Sequence, residues 1–136
     1  MRSVKISDYM ATGLVTFTPE MNVVEAMGLL LENKISGAPV VDHAGRLVGV
    51  LSEIDAMKVV IQDSYYDESA GVVADYMNAP VETVLNTMDI YQLAEKFVAD
   101  HRRRYPVVDE AGILVGQISR RDVLRVAHKS LMHEEA

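Results

Sequence analysis

The chain has 136 residues, 49% of them hydrophobic and 24% charged, with a formal net charge of −7. That composition excludes a disordered polymer, and no apolar run reaches the ~18–20 residues of a membrane-spanning helix. There are no cysteines, which excludes disulfides, thiol catalysis and cysteine zinc sites; with no apolar stretch behind the charged N-terminus, a cytoplasmic location is expected.

In chain order, a first strand is expected near residues 14–17. Val23, Met27, Leu30 and Leu31 recur at helical spacing. Asn22 stands ready to cap that helix, with Glu25 three residues on in a capping-box arrangement, and Ser36-Gly37 is expected to end it. Residues 38–41 and 47–51 read as two hairpin strands turned by Asp42-His43-Ala44-Gly45. Ser52 then takes the N-cap of a helix starting near Glu53. The acidic, Gly-containing stretch 62–71 reads as a linker. A strand near residues 81–84 follows. A helix on Ile90, Ala94, Phe97 and Val98 comes next, capped by Asp89 with Gln92. Strands at 105–108 and 114–118 flank Asp109-Glu110-Ala111-Gly112. Ser119 caps a last helix from Arg120, and residues 130–136 read as a frayed polar tail.

The second series repeats the first at an offset of 67 residues. Asp8-Tyr9-Met10 falls on Asp75-Tyr76-Met77, Pro39-Val40-Val41-Asp42 on Pro106-Val107-Val108-Asp109, and Ser52 and Asp55 on Ser119 and Asp122. Residues 6–57 and 73–124 share 16 identities in 52 ungapped positions, most of them between Pro39 and Asp55. Met10, Met27 and Met77 read as packing residues. Tyr65-Tyr66, in the linker, are candidates to cover a dimer surface.

Charge is unevenly shared. Residues 1–70 hold 5 basic and 10 acidic side chains, and residues 71–136 hold 8 and 10. The second copy carries Arg102-Arg103-Arg104 and Arg120-Arg121, clusters of a size for one phosphate group rather than for a nucleic-acid backbone. His43, His101, His128 and His133 have no metal-site spacing, and no phosphate-loop, dinucleotide-loop or nucleophile-elbow motif is present.

The unit Pro-Val-Val-Asp-x-x-Gly-x-Leu-Val-Gly-x-x-Ser-x-x-Asp, following Asn-Lys-Ile-Ser-Gly in the first copy, resembles the CBS domain, as does the opening Asp-Tyr-Met. Two copies in tandem resemble a CBS-domain pair, or Bateman module. The resemblance implies an α+β fold of two pseudo-symmetric β-α-β-β-α repeats packed as one module: repeat 1 at 3–61, linker 62–71, repeat 2 at 72–129 and tail 130–136. It implies a regulatory sensor without catalysis, with no required cofactor. Its expected ligand is AMP, ADP or ATP, held in a cleft between the repeats. It also implies a homodimer acting on an unidentified target protein, with no nucleic-acid or membrane partner.

The resemblance also assigns residues. In the main cleft, Asp122 would hold the ribose hydroxyls and Ser119 would lie near the phosphate. Arg103, Arg104 and Arg121 would face that phosphate, and Thr12, Ile35, Ser36, Gly37 and Ala38 would floor the base. A second, weaker cleft would use Ser52, Asp55 and Tyr105, with the bulky stretch Arg102 to Tyr105 where the base should sit. Other readings remain open at this point. Each Ser-x-x-Asp can simply cap its helix. The module can be a ligand-free structural or interaction unit, or an S-adenosylmethionine binder. A small enzyme is disfavoured, since no nucleophile, metal set or general-base pair is recognisable.

Overall fold

The computed structural model describes residues 5–66 and 70–135, with the side chains of 64–66 and 134–135 outside the description. Tyr65 and Tyr66, as side chains, therefore lie outside the described residues. The chain is mixed α+β and divides into two compact units. The described residues of 15–81 form one; those of 1–14 and 82–136 form the other.

In the 15–81 unit, α1 (Val23–Asn33) precedes the antiparallel hairpin β1 (Gly37–Val41) and β2 (Leu47–Ser52), and α2 (Glu53–Tyr66) follows directly. Asn22 caps α1 by accepting from the Val24 and Glu25 amides, an arrangement worth ~1 kcal/mol. The helix ends earlier than Ser36-Gly37. Lys34 turns into the left-handed region at φ 55° and sends its amide back to the Leu30 and Leu31 carbonyls. A lysine there gives no glycine-like signal in sequence, while Gly37 instead opens β1. Asp42 organises the hairpin turn by accepting from the Ala44 and Arg46 amides, with Gly45 at φ 85°. Phe17, Val23, Ala26, Leu30, Val40 and Leu51 form the centre of the core.

The expected strand at 14–17 shrinks to one parallel bridge. The Phe17 amide donates to Pro39 and its carbonyl accepts from Val41. The linker expectation also shifts, because α2 carries Gln62 to Tyr66 as helix.

The other unit repeats the plan. The short strand β3 (Val84–Leu85) runs parallel to β4 (Arg104–Val108), which pairs antiparallel with β5 (Leu114–Ser119). Between β3 and β4, α3 (Ile90–Asp100) is capped by a complete Asp89–Gln92 capping box and ends on His101 at φ 55°. After β5, α4 (Arg120–Glu135) continues as helix through most of the segment expected to be a frayed tail. Tyr105, Ile6, Leu93, Ile118 and Val107 are fully buried at the core of this unit.

The Asp-Tyr-Met segments explain how each unit is completed. Residues 5–14 belong with the second-copy hairpin, and residues 72–81 with the first-copy hairpin. Ala11 exchanges both backbone hydrogen bonds with Gln117, at 2.8 and 3.0 Å; Asn78 does the same with Val50, at 3.0 and 2.9 Å. Each crossing lies against a hairpin glycine. A Cβ on Gly116 would stand 2.7 Å from the Ala11 oxygen and 2.6 Å from the Met10 sulfur, and one on Gly49 would stand 3.0 Å from the Asn78 oxygen and 2.6 Å from the Met77 sulfur.

Gly116→Ala is therefore expected to destabilise the protein by ~1–3 kcal/mol through overpacking. Gly28→Ala, in the exposed middle of α1 with open space around it, is expected to stabilise by ~1 kcal/mol through helix propensity. Urea unfolding of the two variants checks both signs.

Candidate functional site

Each copy builds the same device where β2 or β5 enters its helix. In the second copy the Ser119 amide donates to Asp122 Oδ2 at 2.9 Å, and the Asp122 amide donates to Ser119 Oγ at 3.2 Å. In the first copy the Ser52 amide and hydroxyl both donate to Asp55 Oδ2 at 2.8 Å, and the Asp55 amide returns a bond to Ser52 Oγ at 3.2 Å. Both Ser-x-x-Asp pairs thus cap their helices. The cap also fixes each carboxylate beside a helix N-terminus, where backbone partial charge favours an anion.

The two carboxylates differ in what else they hold. Asp55 is buried, with its side chain 4% exposed, and the Asn78 amide nitrogen donates to both its oxygens at 2.8 and 2.9 Å. Lys58 stands 3.9 Å from Oδ1. The Asp122 side chain is 17% exposed, and the exposed Arg125 guanidinium lies 2.9 Å from Oδ1.

The second-copy candidates gather at one end of a single unit. Arg104 opens β4 directly opposite Ser119 on β5. The Arg103 carbonyl accepts from the Arg120 amide at 3.0 Å. Arg103, Arg104 and Arg121 have exposed side chains, and Thr12 follows the Ala11–Gln117 bridge on the neighbouring segment. Arg120 contributes to the fold: its Nε donates to the Arg102 carbonyl just before β4.

Ile35, Ser36, Gly37 and Ala38 lie in the 15–81 unit, together with Ser52 and Asp55. Gly37 pairs with Ser52, and the Ser36 carbonyl accepts the Glu53 amide at 2.9 Å. Ile35 and Ser36 also line a groove of about 600 Å³ between α1 and α2, with Leu30, Leu31, Ala56 and Met57 on its walls. A matching groove of about 420 Å³ lies between α3 and α4, lined by Phe97, Val98, Val123 and Leu124.

Tyr105 is a core residue by its side chain. It is fully buried, its ring centroid is 4.9 Å from that of Phe97, and its hydroxyl donates to Asp100 Oδ2 at 2.7 Å. Lys96 sits 5.3 Å over the ring while pairing with Glu82 and Asp100. Sequence reasoning also passed over Asn78 and Arg125. Their signal was present: at the 67-residue offset Asn78 falls on Ala11, and Arg125 on Lys58. Among the described residues, no group of three or more His, Asp or Glu could hold a metal ion, and no helix is long and apolar enough to cross a membrane.

The family model for the CBS domain matches residues 6–62 and 73–129. The chain belongs to the CBS domain family. Among curated relatives, an uncharacterized protein of Methanopyrus kandleri is 31% identical over 127 residues, covering 93% of this chain; the chain spans only 64% of that relative's length. Among solved structures, CBSX2 in complex with AMP matches at 30% identity and a TM-score of 0.79, covering 93% of this chain and 98% of that one. CBSX2 is a CBS-pair protein of Arabidopsis thaliana. The cytosolic domain of the Mg2+ channel MgtE in complex with ATP matches at 30% identity and a TM-score of 0.75, covering 90% of this chain and 48% of that one.

Burial and the Asp100 hydrogen bond push the Tyr105 phenol up to about 12, from an ordinary 10.0. The Tyr105 hydroxyl, with Lys96, in turn holds Asp100 below the usual carboxylate value. A phenol raised in the folded state contributes stability fully below its unfolded value and loses it as pH rises through its folded value. Wild-type stability to urea is therefore expected to fall more steeply between pH 10.0 and about 12 than that of Tyr105→Phe. Parallel slopes for the two proteins would contradict this.

Proposed function

We propose that this CBS pair is a non-catalytic sensor of a phosphorylated adenosyl nucleotide, AMP, ADP or ATP, anchored at Asp122. The observation that carries the reading is the Asp122 carboxylate itself. A carboxylate has about four acceptor positions, and at Asp122 one is filled by the Ser119 amide and one by Arg125. The vicinal ribose hydroxyls are two donors at a spacing one carboxylate can accept. The α4 N-terminus and the exposed Arg103, Arg104 and Arg121 supply positive potential for the attached phosphate. The AMP complex of CBSX2 and the ATP complex of the MgtE domain, each 30% identical, support the ligand class.

The same charge disfavours S-adenosylmethionine, whose sulfonium would sit among guanidiniums. Thr12, Ile35, Ser36, Gly37 and Ala38 enter as base-holding residues through the family resemblance. A ligand shifts the conformational balance only by its differential affinity for two arrangements, so the signal to the target protein rests on such a difference.

The proposal includes a homodimer. Exposed Leu124, Leu131 and Met132 form an apolar stripe along α4, and Leu31, Met57 and Val60 one on α1 and α2. These stripes equally favour the second reading, a ligand-free interaction module. Ligand linkage separates the two. At about a hundredfold excess over Kd a nucleotide stabilises the folded state by ~2.7 kcal/mol, so AMP or ATP should raise Tm by several degrees. No shift with any adenosyl compound would support the interaction module. In calorimetry, binding is expected to vanish in Asp122→Ala and to survive in Asp55→Ala; the reverse pattern overturns the assignment.

A further inference from the structure

We propose that one residue position decides which copy can take a ribose, and that Asn78 closes the first copy. The inference rests on Asp122 being the anchor of the preceding reading.

The repeat supplies an internal control. Ser52 and Ser119 make the same reciprocal amide cap, to which the Ser52 hydroxyl adds one bond to Asp55, and each carboxylate has a cation three residues on, Lys58 or Arg125. Residues 78 and 11 are pinned alike, each by a reciprocal pair of backbone bonds to Val50 or Gln117. What differs there is the side chain. In the first copy it is a carboxamide whose nitrogen bonds both Asp55 oxygens. In the second it is a methyl group, which has nothing to donate.

The count of bonds settles the consequence. Asp55 accepts from the Ser52 amide, the Ser52 hydroxyl and, twice, from Asn78. Oδ2 takes three of these and Oδ1 the fourth, so of the roughly four acceptor positions only one, on Oδ1, is left for a pair of ribose hydroxyls. A ribose arriving there must displace a hydrogen bond to a buried charge, a strong one of its type. At Asp122 the exposed Arg125 is the contact to be exchanged. Asn78 thus acts as a built-in substitute for the sugar, occupying the carboxylate from within the protein.

The test transplants the donor. Ala11→Asn places a carboxamide on the pinned backbone beside Asp122, and Ala11→Leu places similar bulk without a donor. Calorimetry with AMP should show binding weakened ~10-fold or more in Ala11→Asn, the scale of a hydrogen bond to a charged group, with Ala11→Leu close to wild type. Equal loss in both variants would assign the effect to bulk and overturn the inference, as would unchanged binding in Ala11→Asn. In the converse variant, Asn78→Ala, adenosine should gain a second, weaker site that disappears when Asp55→Ala is added; a single site overturns the claim for the first copy. A wild-type chain that binds no nucleotide sinks the reading of Asp122 instead. The Asn78→Ala protein then decides the clamp alone, where Asp55-dependent adenosine binding supports it and none overturns it.

Discussion

The structure turns on a short backbone crossing made twice. A chain segment lies against a hairpin strand at a glycine, and one residue of that segment trades both its hydrogen bonds with the strand. At Gly116 the crossing residue is Ala11, and at Gly49 it is Asn78. The glycine is required because the approach leaves no room for a Cβ. The crossing joins the Asp-Tyr-Met segment of one sequence copy to the hairpin of the other. It also fixes which side chain stands beside the helix-capping carboxylate. Fold assembly and site chemistry are therefore set by the same contact.

The Ser-x-x-Asp pair carries two roles that do not compete. As a cap, the serine and aspartate satisfy amides that a helix start leaves unpaired. That service holds the carboxylate in place before any ligand arrives, so little ordering is left for binding to impose. On the proposed reading, what the cap leaves over sets where a ribose can be held. Asp122 keeps acceptor capacity after capping its helix, while Asp55 gives its capacity to Ser52 and Asn78. Two identical motifs in one chain thus differ in chemistry through a residue outside the motif.

Much of this was legible in the sequence, for identifiable reasons. The 67-residue offset exposed the duplicated plan, and helical spacing around Val23 and Ile90 located α1 and α3. The turns held because Asp42 and Asp109 are local devices that bond within four residues. The misreadings were non-local or lacked a local signal. The strand at 14–17 reduced to a bridge because pairing with Pro39 and Val41 engages Phe17 alone. The helix stop at Lys34 was invisible because a lysine takes a glycine-like conformation there. Tyr105 looked available beside an arginine run, yet strand alternation turns its ring inward to Phe97 while Arg104 stays outside. Asn78 was missed because its partner Asp55 lies 23 residues away, reached only through the glycine crossing.

The arginines show how a mildly acidic chain prepares a positive site. Arg120 is committed to the Arg102 carbonyl and serves the fold. Arg103, Arg104 and Arg121 remain exposed. Arg125 stands between these cases. It neutralises Asp122 from a position 67% exposed, and an exposed ion pair of this kind is worth little, typically ~0–1 kcal/mol. In the proposed complex, exchanging it for ribose hydroxyls would cost correspondingly little, and the guanidinium freed would be one more cation beside the phosphate. The Asn78 contact with Asp55 is different in kind, because it serves a buried charge that would be left without that partner. On the proposed reading, which copy takes the ribose follows from what each carboxylate would give up: a screened counterion at Asp122, and an amide on pinned backbone at Asp55.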